Sequence, residues 1–348
     1  MTAPNRLRIQ RKTKEIQCQS GEIPPDLLSG AEPVILKGLV SHWPLVQLGQ
    51  QGSAAIVDYL CSHYNGKATQ VYYGEPGLNG RYFYDTSCTK LNYETRMGQV
   101  DQVLQHILQW QQLEQAPSVY VASNLLSTHF PTLRQHNDIQ LPKAALDYQT
   151  EPDRVSIWLG NKSLSACHYD SSENLACSVF GKRRFTLFPP DQISHLYPGP
   201  LEPTPGGQVI SMVDFDQPDL ERFPDFPKAI AAGQIAELEP GDALYLPSMW
   251  WHQVEALMSF NILINYWWST APRYTGSGMN LLYHALLCLR DKPEHERKAW
   301  QAVLNHYIFD DPKKAGAHLP EQARGVLGEL DEMQARQLRA MLLNRLNR

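Results

Sequence analysis

From residue 174 to residue 190 the chain reads strand, break, strand, stop. Residues 174–180 form an apolar run ended by Gly181, and Arg184-Phe185-Thr186-Leu187-Phe188 form a second run halted by Pro189-Pro190, which offer no N–H to a continuing ladder. The same grammar recurs downstream: residues 235–238 and 243–246 flank Pro240-Gly241-Asp242, a turn by its chemistry, and residues 261–267 return as another strand. Upstream, residues 33–38, 71–73, 81–84, 119–122 and 154–159 read as further short strands. So many short strands with turn signals between them point to a mainly β architecture.

Immediately ahead of the first of these hairpins stands His168-Tyr169-Asp170, and after the strand at 243–246 stands Trp250-Trp251-His252. Two imidazoles and one carboxylate, with positions left open, are the ligand set of non-haem Fe(II) oxygenases. A His-x-Asp spelling alone carries little weight: 12 His and 18 Asp in 348 residues give about 0.6 chance occurrences. A second copy exists at His136-Asn137-Asp138, in a polar, turn-like stretch between Pro131 and Pro142 with no alternating apolar neighbours to hold it. The metal is therefore expected at His168, Asp170 and His252.

Alternation adds a charge to this picture. From Gly181 onward Arg183, Phe185 and Leu187 share one face of the strand, so an apolar face carries a single cation. An inward charge needs a partner, and a guanidinium can hold a carboxylate in a bidentate fork. A bulge that turns Arg183 outward is the competing reading, and Lys182 is then the reserve cation.

The segment 168–190, with Gly241-Asp242-Ala243-Leu244-Tyr245-Leu246-Pro247 and Trp250-Trp251-His252, resembles the cupin-like branch of the JmjC dioxygenases, and within it the asparaginyl hydroxylase that inhibits hypoxia-inducible factor. The resemblance extends over roughly residues 22–270 and is specific at 154–268. It implies a double-stranded β-helix, or jelly roll, that binds Fe(II) and takes 2-oxoglutarate and O2 as cosubstrates. Tyr120 and Ser165 match residues that contact the cosubstrate, Asn174 matches an active-site asparagine, and Asn265 and Trp267 match residues that line the barrel. The turn before those last two is shorter here than in the relative. Arg183 falls where the family places its cosubstrate lysine, which is a departure. Read without the resemblance, Tyr120 is equally a packed core tyrosine and Ser165 a turn serine.

Three functions fit this reading. The first is a hydroxylase of a protein side chain or another macromolecule. The second is a JmjC-type demethylase, although no reader or zinc module accompanies the chain. The third is a metal-binding jelly roll that recognises a ligand without turnover, because fold does not fix function.

Net charge is −5, so no global field attracts nucleic acid, and the basic group Arg6, Arg8, Arg11, Lys12 and Lys14 reads as a solvated terminal segment. Six scattered cysteines without a Cys-x-x-Cys pair suit a reducing cytoplasm. Residues 1–17 carry no apolar core of a secretory signal, and no run reaches membrane-spanning length.

The expected organisation is a catalytic domain over 1–270, with a scaffold at 1–117 and a core at 118–270, followed by a helical region at 271–348. In the scaffold, residues 7–16 read as an opening strand and 26–29 as a short helix. Ser53 caps a helix through 64, and 93–112 has helical spacing at Met97, Val100, Val103, Leu104, Ile107 and Leu108. Residues 192–228 turn polar and proline-rich, a long loop that either covers the barrel mouth or is simply solvated. Helices are expected at 280–289, 293–307 and 331–346, the last capped by Asp331 with Met333, Leu338, Met341, Leu342 and Leu346 on one stripe. That stripe favours a homodimer, as the relative's C-terminal helices form.

Overall fold

The computed structural model describes residues 7–18, 21–24, 26–146 and 152–347. Arg6 of the basic group lies outside them. The chain divides into two compact units, Met1–Thr270 and Ala271–Arg348.

Among the described residues the first unit carries fourteen strands: β1 (Lys14–Gln17), β2 (Val34–Lys37), β3 (Thr69–Gly74), β4 (Arg81–Tyr82), β5 (Glu94–Gly98), β6 (Ser118–Leu125), β7 (Arg154–Gly160), β8 (Leu164–His168), β9 (Glu173–Phe180), β10 (Arg183–Phe188), β11 (Gln234–Leu238), β12 (Ala243–Leu246), β13 (Trp251–Ala256) and β14 (Asn261–Trp268). Nine form a large sheet in the order β1-β2-β12-β9-β14-β7-β6-β3-β5, and five a smaller one in the order β11-β10-β13-β8-β4. An apolar layer between the sheets joins Ile35, Ala176, Leu244 and Leu263 of the large sheet to Phe185, Leu187, Ala236 and Leu238 of the small one. This is the cupin-like jelly roll.

Strand alternation explains the second layer. On β7, β9 and β14 the residues Ile157, Leu159, Leu175, Cys177, Ile262 and Ile264 face away from the small sheet. They are covered by α1 (Pro44–Gly49), α2 (Ser53–His63) and α3 (Val100–Trp110), which bring Leu45, Val57, Leu60, Val103 and Ile107 to the same core. The central strands β9 and β14 are therefore buried on both faces, which is why they read as nearly continuous apolar runs.

Several expectations change. The opening strand is only β1, with an isolated bridge at Lys12, and the short helix is a 3-10 turn at Leu27–Ser29. Ser53 is the first residue of α2, whose cap is Gly52, and its hydroxyl accepts from Gln111 Nε2 at 3.0 Å. The helix expected at 93–112 is two elements, β5 and then α3. Met97, placed on the helical face by its spacing, sits on edge strand β5 and is 70% exposed.

The stretch His136-Asn137-Asp138 is held in place after all, although not for a metal. Buried Asn137 accepts from Leu45 N at 2.9 Å and donates to Tyr59 Oη at 3.0 Å, while Asp138 accepts from Tyr266 Oη at 2.7 Å and from Arg134 Nε at 3.0 Å. It ties the helical layer to β14, and His136 is exposed.

The proline-rich segment is not a solvated loop. Leu196, Val213, Phe215, Phe223 and Phe226 pack with Leu7, Ile9, Phe188 and Trp251 over the back of the small sheet. It includes α4 (Leu126–His129)'s successor in the chain, α5 (Phe226–Ala232), whose Phe226 and Ala229 are buried. A backbone bridge pairs Ile210 with His168.

One turn fastens this architecture. Buried Asp242 accepts from Gly38 N at 2.9 Å, from Glu239 N at 2.9 Å and from Lys37 Nζ, joining the β11–β12 turn to the end of β2. Removing the carboxylate strands two amide donors and an ammonium. Asp242→Ala is expected to cost about 2–4 kcal/mol, read as a lower denaturant midpoint at unchanged slope. A loss below about 0.5 kcal/mol would mean that water replaces the carboxylate freely.

The second unit holds α6 (Gly278–Cys288), α7 (Glu294–Leu304) continued by a π turn at Asn305–Phe309, α8 (Pro312–Ala315) and α9 (Glu332–Leu346). The start of α9 is fixed by a capping box: Asp331 accepts from Gln334 N at 2.7 Å, and Gln334 Oε1 accepts from Asp331 N at 3.0 Å. Met333, Met341, Leu342 and Leu346 of its stripe are exposed, and Leu338 is half-buried.

Candidate metal centre and its cavity

His168 ends β8 and His252 lies near the start of β13, and antiparallel pairing sets the two directly opposite each other. Their ring centroids are 4.3 Å apart. Asp170 follows β8 by two residues, and its carbonyl accepts from Met249 N at 2.7 Å, so the carboxylate's segment is tied to the turn that delivers His252. His252 Nε2 and Asp170 Oδ2 are 3.7 Å apart, and one ligand atom from each of the three residues lies within 4.8 Å of the others.

The imidazole tautomers follow from their other nitrogens. His168 Nδ1 lies 2.7 Å from Ala166 O and His252 Nδ1 lies 2.9 Å from Trp250 O; a carbonyl can only accept, so each Nδ1 carries the proton. Each Nε2 then presents a lone pair. This backbone arrangement is the outer support that metal-binding histidines require. Two neutral imidazoles and a carboxylate gathered on one side of a cavity fit a divalent first-row metal with open coordination positions.

Burial, reinforced by the neighbouring His168, pushes His252 down to about 4, so it is neutral at neutral pH. In the metal-free protein this depression has a definite sign. The unfolded chain takes up its proton first, so stability is complete above about pH 6.5 and falls as the pH drops toward about 4, by on the order of 3 kcal/mol. The check is urea denaturation in chelator from pH 7.5 to 4.5 for wild type and His252→Gln. The wild type should lose stability more steeply on acidification, and parallel curves would contradict the assignment.

The cavity in front of the ligands is lined by all the other residues singled out from the sequence: Tyr120, Ser165, Asn174, Arg183, Asn265 and Trp267. Arg183 is only 3% exposed and points between the sheets, beside Phe185. Its charge is disfavoured by burial, offset in part by the neighbouring Tyr120 hydroxyl. Ser165 stands beside the same hydroxyl. Among the described residues the Nε and Nη2 atoms of Arg183 nevertheless have no partner, and neither does Nε1 of Trp267. Lys182 is turned to the surface, paired with Glu239 at 2.6 Å. Strand alternation thus sorted the two cations correctly. Arg184, on the other face of β10, is also buried and meets Glu237 at 3.0 Å.

Sequence reasoning missed Tyr72, Tyr82, Trp158 and Gln208, which also line the cavity. For Trp158 a signal existed: on β7, Ser156, Trp158 and Gly160 alternate with Val155, Ile157 and Leu159, so the face with a hydroxyl and an indole N–H is the one turned to the cavity. Gln208 and Ile210 reach the cavity from the proline-rich segment, where no period announces them.

Comparison with known proteins agrees with this geometry. Over 149 residues the chain is 33% identical to HSPB1-associated protein 1 of Rattus norvegicus, covering 42% of this chain and 30% of that protein. It is 27% identical to lysine-specific demethylase 8 of Xenopus tropicalis over 243 residues, 68% of this chain and 48% of the relative. With tRNA wybutosine-synthesizing protein 5 of Danio rerio it shares 38% identity over 105 residues, 30% of this chain and 29% of the relative. The chain thus spans no more than about half the length of these relatives. A family model described as the cupin-like domain matches residues 21–274, nearly all of the strand-bearing unit, and the chain accordingly belongs to the cupin-like domain family.

Proposed function

We propose that the protein is an Fe(II)- and 2-oxoglutarate-dependent oxygenase that hydroxylates a protein side chain or another macromolecule. The observation that carries this reading is the buried, half-partnered guanidinium of Arg183 in the same cavity as His168, Asp170 and His252. A buried cation with idle N–H groups is costly unless an anion arrives to use them.

Iron with 2-oxoglutarate and O2 would supply oxidation of a substrate C–H bond, with succinate and CO2 as coproducts. The chain's own contribution is aim and exclusion of water. His168, Asp170 and His252 hold the metal on one face. Arg183 grips the far carboxylate of 2-oxoglutarate in a fork, with the Tyr120 and Ser165 hydroxyls beside it. Asn174 and Trp267 would bind the rest of the cosubstrate, with Asn265 beside them in the same cavity. The dry layer between the sheets keeps water from the far end of the cavity.

The test is succinate formation by anaerobically iron-loaded protein after O2 is admitted, with chelator-treated protein as the control. Succinate above the control supports the reading. Its absence, together with no 2-oxoglutarate binding by metal-loaded protein, would move the function to a non-catalytic metal cupin.

The similarity to a lysine-specific demethylase favours one second reading, in which the hydroxylated carbon is an N-methyl group and the product decomposes to formaldehyde. Formaldehyde release from a methylated peptide separates it from stable hydroxylation of a side chain such as asparagine. We also propose a homodimer through the C-terminal helices, supported by the exposed Leu281, Leu287, Trp300, Phe309 and Leu343. A reducing cytoplasmic setting is supported by the free cysteines among the described residues.

A further inference from the structure

We propose that Trp158 is a positioning residue that fixes the polarity of two carboxamides, so that the cavity presents an N–H donor and not a carbonyl at Asn174. The inference rests on the cosubstrate reading above and adds a residue to which no role had been given.

The chain of bonds crosses the inner face of the large sheet. Trp158 Nε1 on β7 donates to Asn265 Oδ1 on β14 at 2.7 Å, and Asn265 Nδ2 donates to Asn174 Oδ1 on β9 at 3.2 Å. A carboxamide can ordinarily be turned end for end, because its oxygen and nitrogen are nearly equal in size. An indole N–H can only donate. Asn265 must therefore offer its oxygen to Trp158, which sends its nitrogen to Asn174. Asn174 must then accept with its oxygen, and its own NH2 has no protein acceptor among the described residues and belongs to the cavity that Asn174 lines. One fixed donor sets two ambiguous groups.

Asn174 and Asn265 are buried, 7% and 2% exposed, so water does not compete effectively for these bonds. The register supports the relay. Asn265 stands opposite Ser156 on β7 and Ala176 on β9, which puts Trp158 and Asn174 two residues away along the neighbouring strands, on the same face. Trp158 also packs edge-on against Trp267, with centroids 5.7 Å apart at 81°, which restrains the indole.

The consequence is chemical uniformity. Arg183 Nε and Nη2, Trp267 Nε1 and the Asn174 amide all point to the same requirement, an acceptor-rich ligand. A flipped Asn174 would place a carbonyl oxygen among these donors and oppose a carboxylate. Trp158 also lines the cavity, and the effect assigned to it here runs through the two asparagines.

The test has two arms. Neutron diffraction from deuterated wild-type crystals should show the ND2 group of Asn265 directed at Asn174 and that of Asn174 directed into the cavity. Trp158→Phe keeps an aromatic side chain, although a smaller one, and removes the donor, and the single orientation should be lost. In solution, 2-oxoglutarate titrated into Mn(II)-loaded protein should bind about tenfold more weakly to Trp158→Phe than to wild type, at unchanged Mn(II) affinity. In an Asn174→Ala background the same substitution should change the affinity less than about twofold, because the group it orients is gone.

An opposite or mixed amide orientation in the wild type overturns the proposal, whether or not the variant folds. So does a full tenfold loss added on top of Asn174→Ala, which would mean that Trp158 acts by packing. If the amides are oriented as expected but wild-type protein does not bind 2-oxoglutarate, the relay stands and the cosubstrate reading falls.

Discussion

Replacing Arg183 with Met is expected to stabilise the ligand-free protein while abolishing its hold on 2-oxoglutarate. The residue is 3% exposed, and two of its donor nitrogens lack a partner. Each idle buried donor costs roughly 1–3 kcal/mol, and a charge costs more. Methionine fills a similar volume without polar atoms, so a gain of about 1–3 kcal/mol in unfolding free energy is expected, moderated by loss of the favourable interaction with the Tyr120 hydroxyl. Binding should move the other way. A desolvated bidentate pair with a carboxylate is worth several kcal/mol, so affinity for 2-oxoglutarate should fall by about a thousandfold. Calorimetric titration of metal-loaded protein, beside denaturation of the metal-free form, reads both. A variant that is less stable yet binds normally would make Arg183 a structural residue. Arg183→Lys is a useful intermediate, since it puts a point charge in place of a fork.

The second large effect is expected at the metal. His168→Ala should reduce Fe(II) or Mn(II) affinity by more than about a hundredfold, since loss of even an outer-shell partner costs 10–100-fold. Turnover should vanish with it. The half-buried ring of His168 sits at the end of β8, where it packs little, so the fold should survive. Metal affinity by equilibrium dialysis and far-UV circular dichroism on the same sample separate loss of a ligand from loss of structure. Retained affinity would move the metal away from His168, Asp170 and His252.

What was legible in the sequence follows from how strongly each feature is over-determined. The strands at 174–188 and 261–267 are buried on both faces, so their composition announces them. Arg183 was pointed to by the resemblance and turned inward by alternation, and the ligand triad was read from ligand chemistry, strand context and the same resemblance. Residues 94–98 were misread because Met97 happens to fall in step with the helix that starts at Val100. Spacing cannot see that β5 is an edge strand whose side chains point to solvent. The hydrophobic content of 192–228 was overlooked for a different reason. Leu196, Val213, Phe215 and Phe223 are spaced irregularly among prolines, and only a surface supplied by distant residues such as Leu7 and Trp251 makes them a core. The Trp158 relay was invisible because it is a property of three strands that are not consecutive in the chain.

The pairing of His168 with His252 closes a loop of 84 residues, and this sets the order of events when the protein forms. Before β8 and β13 align, the chain offers a metal only the local His168 and Asp170, a weak two-point site. The third ligand arrives with one of the most distant contacts in the sheet, a contact whose entropic cost is met late in folding. A metal held by these three side chains would therefore bind the finished jelly roll and not template it, raising stability by mass action on the native state. Were that metal the proposed iron, a cell short of it would accumulate folded, empty protein, ready to be loaded, and not an unfolded precursor.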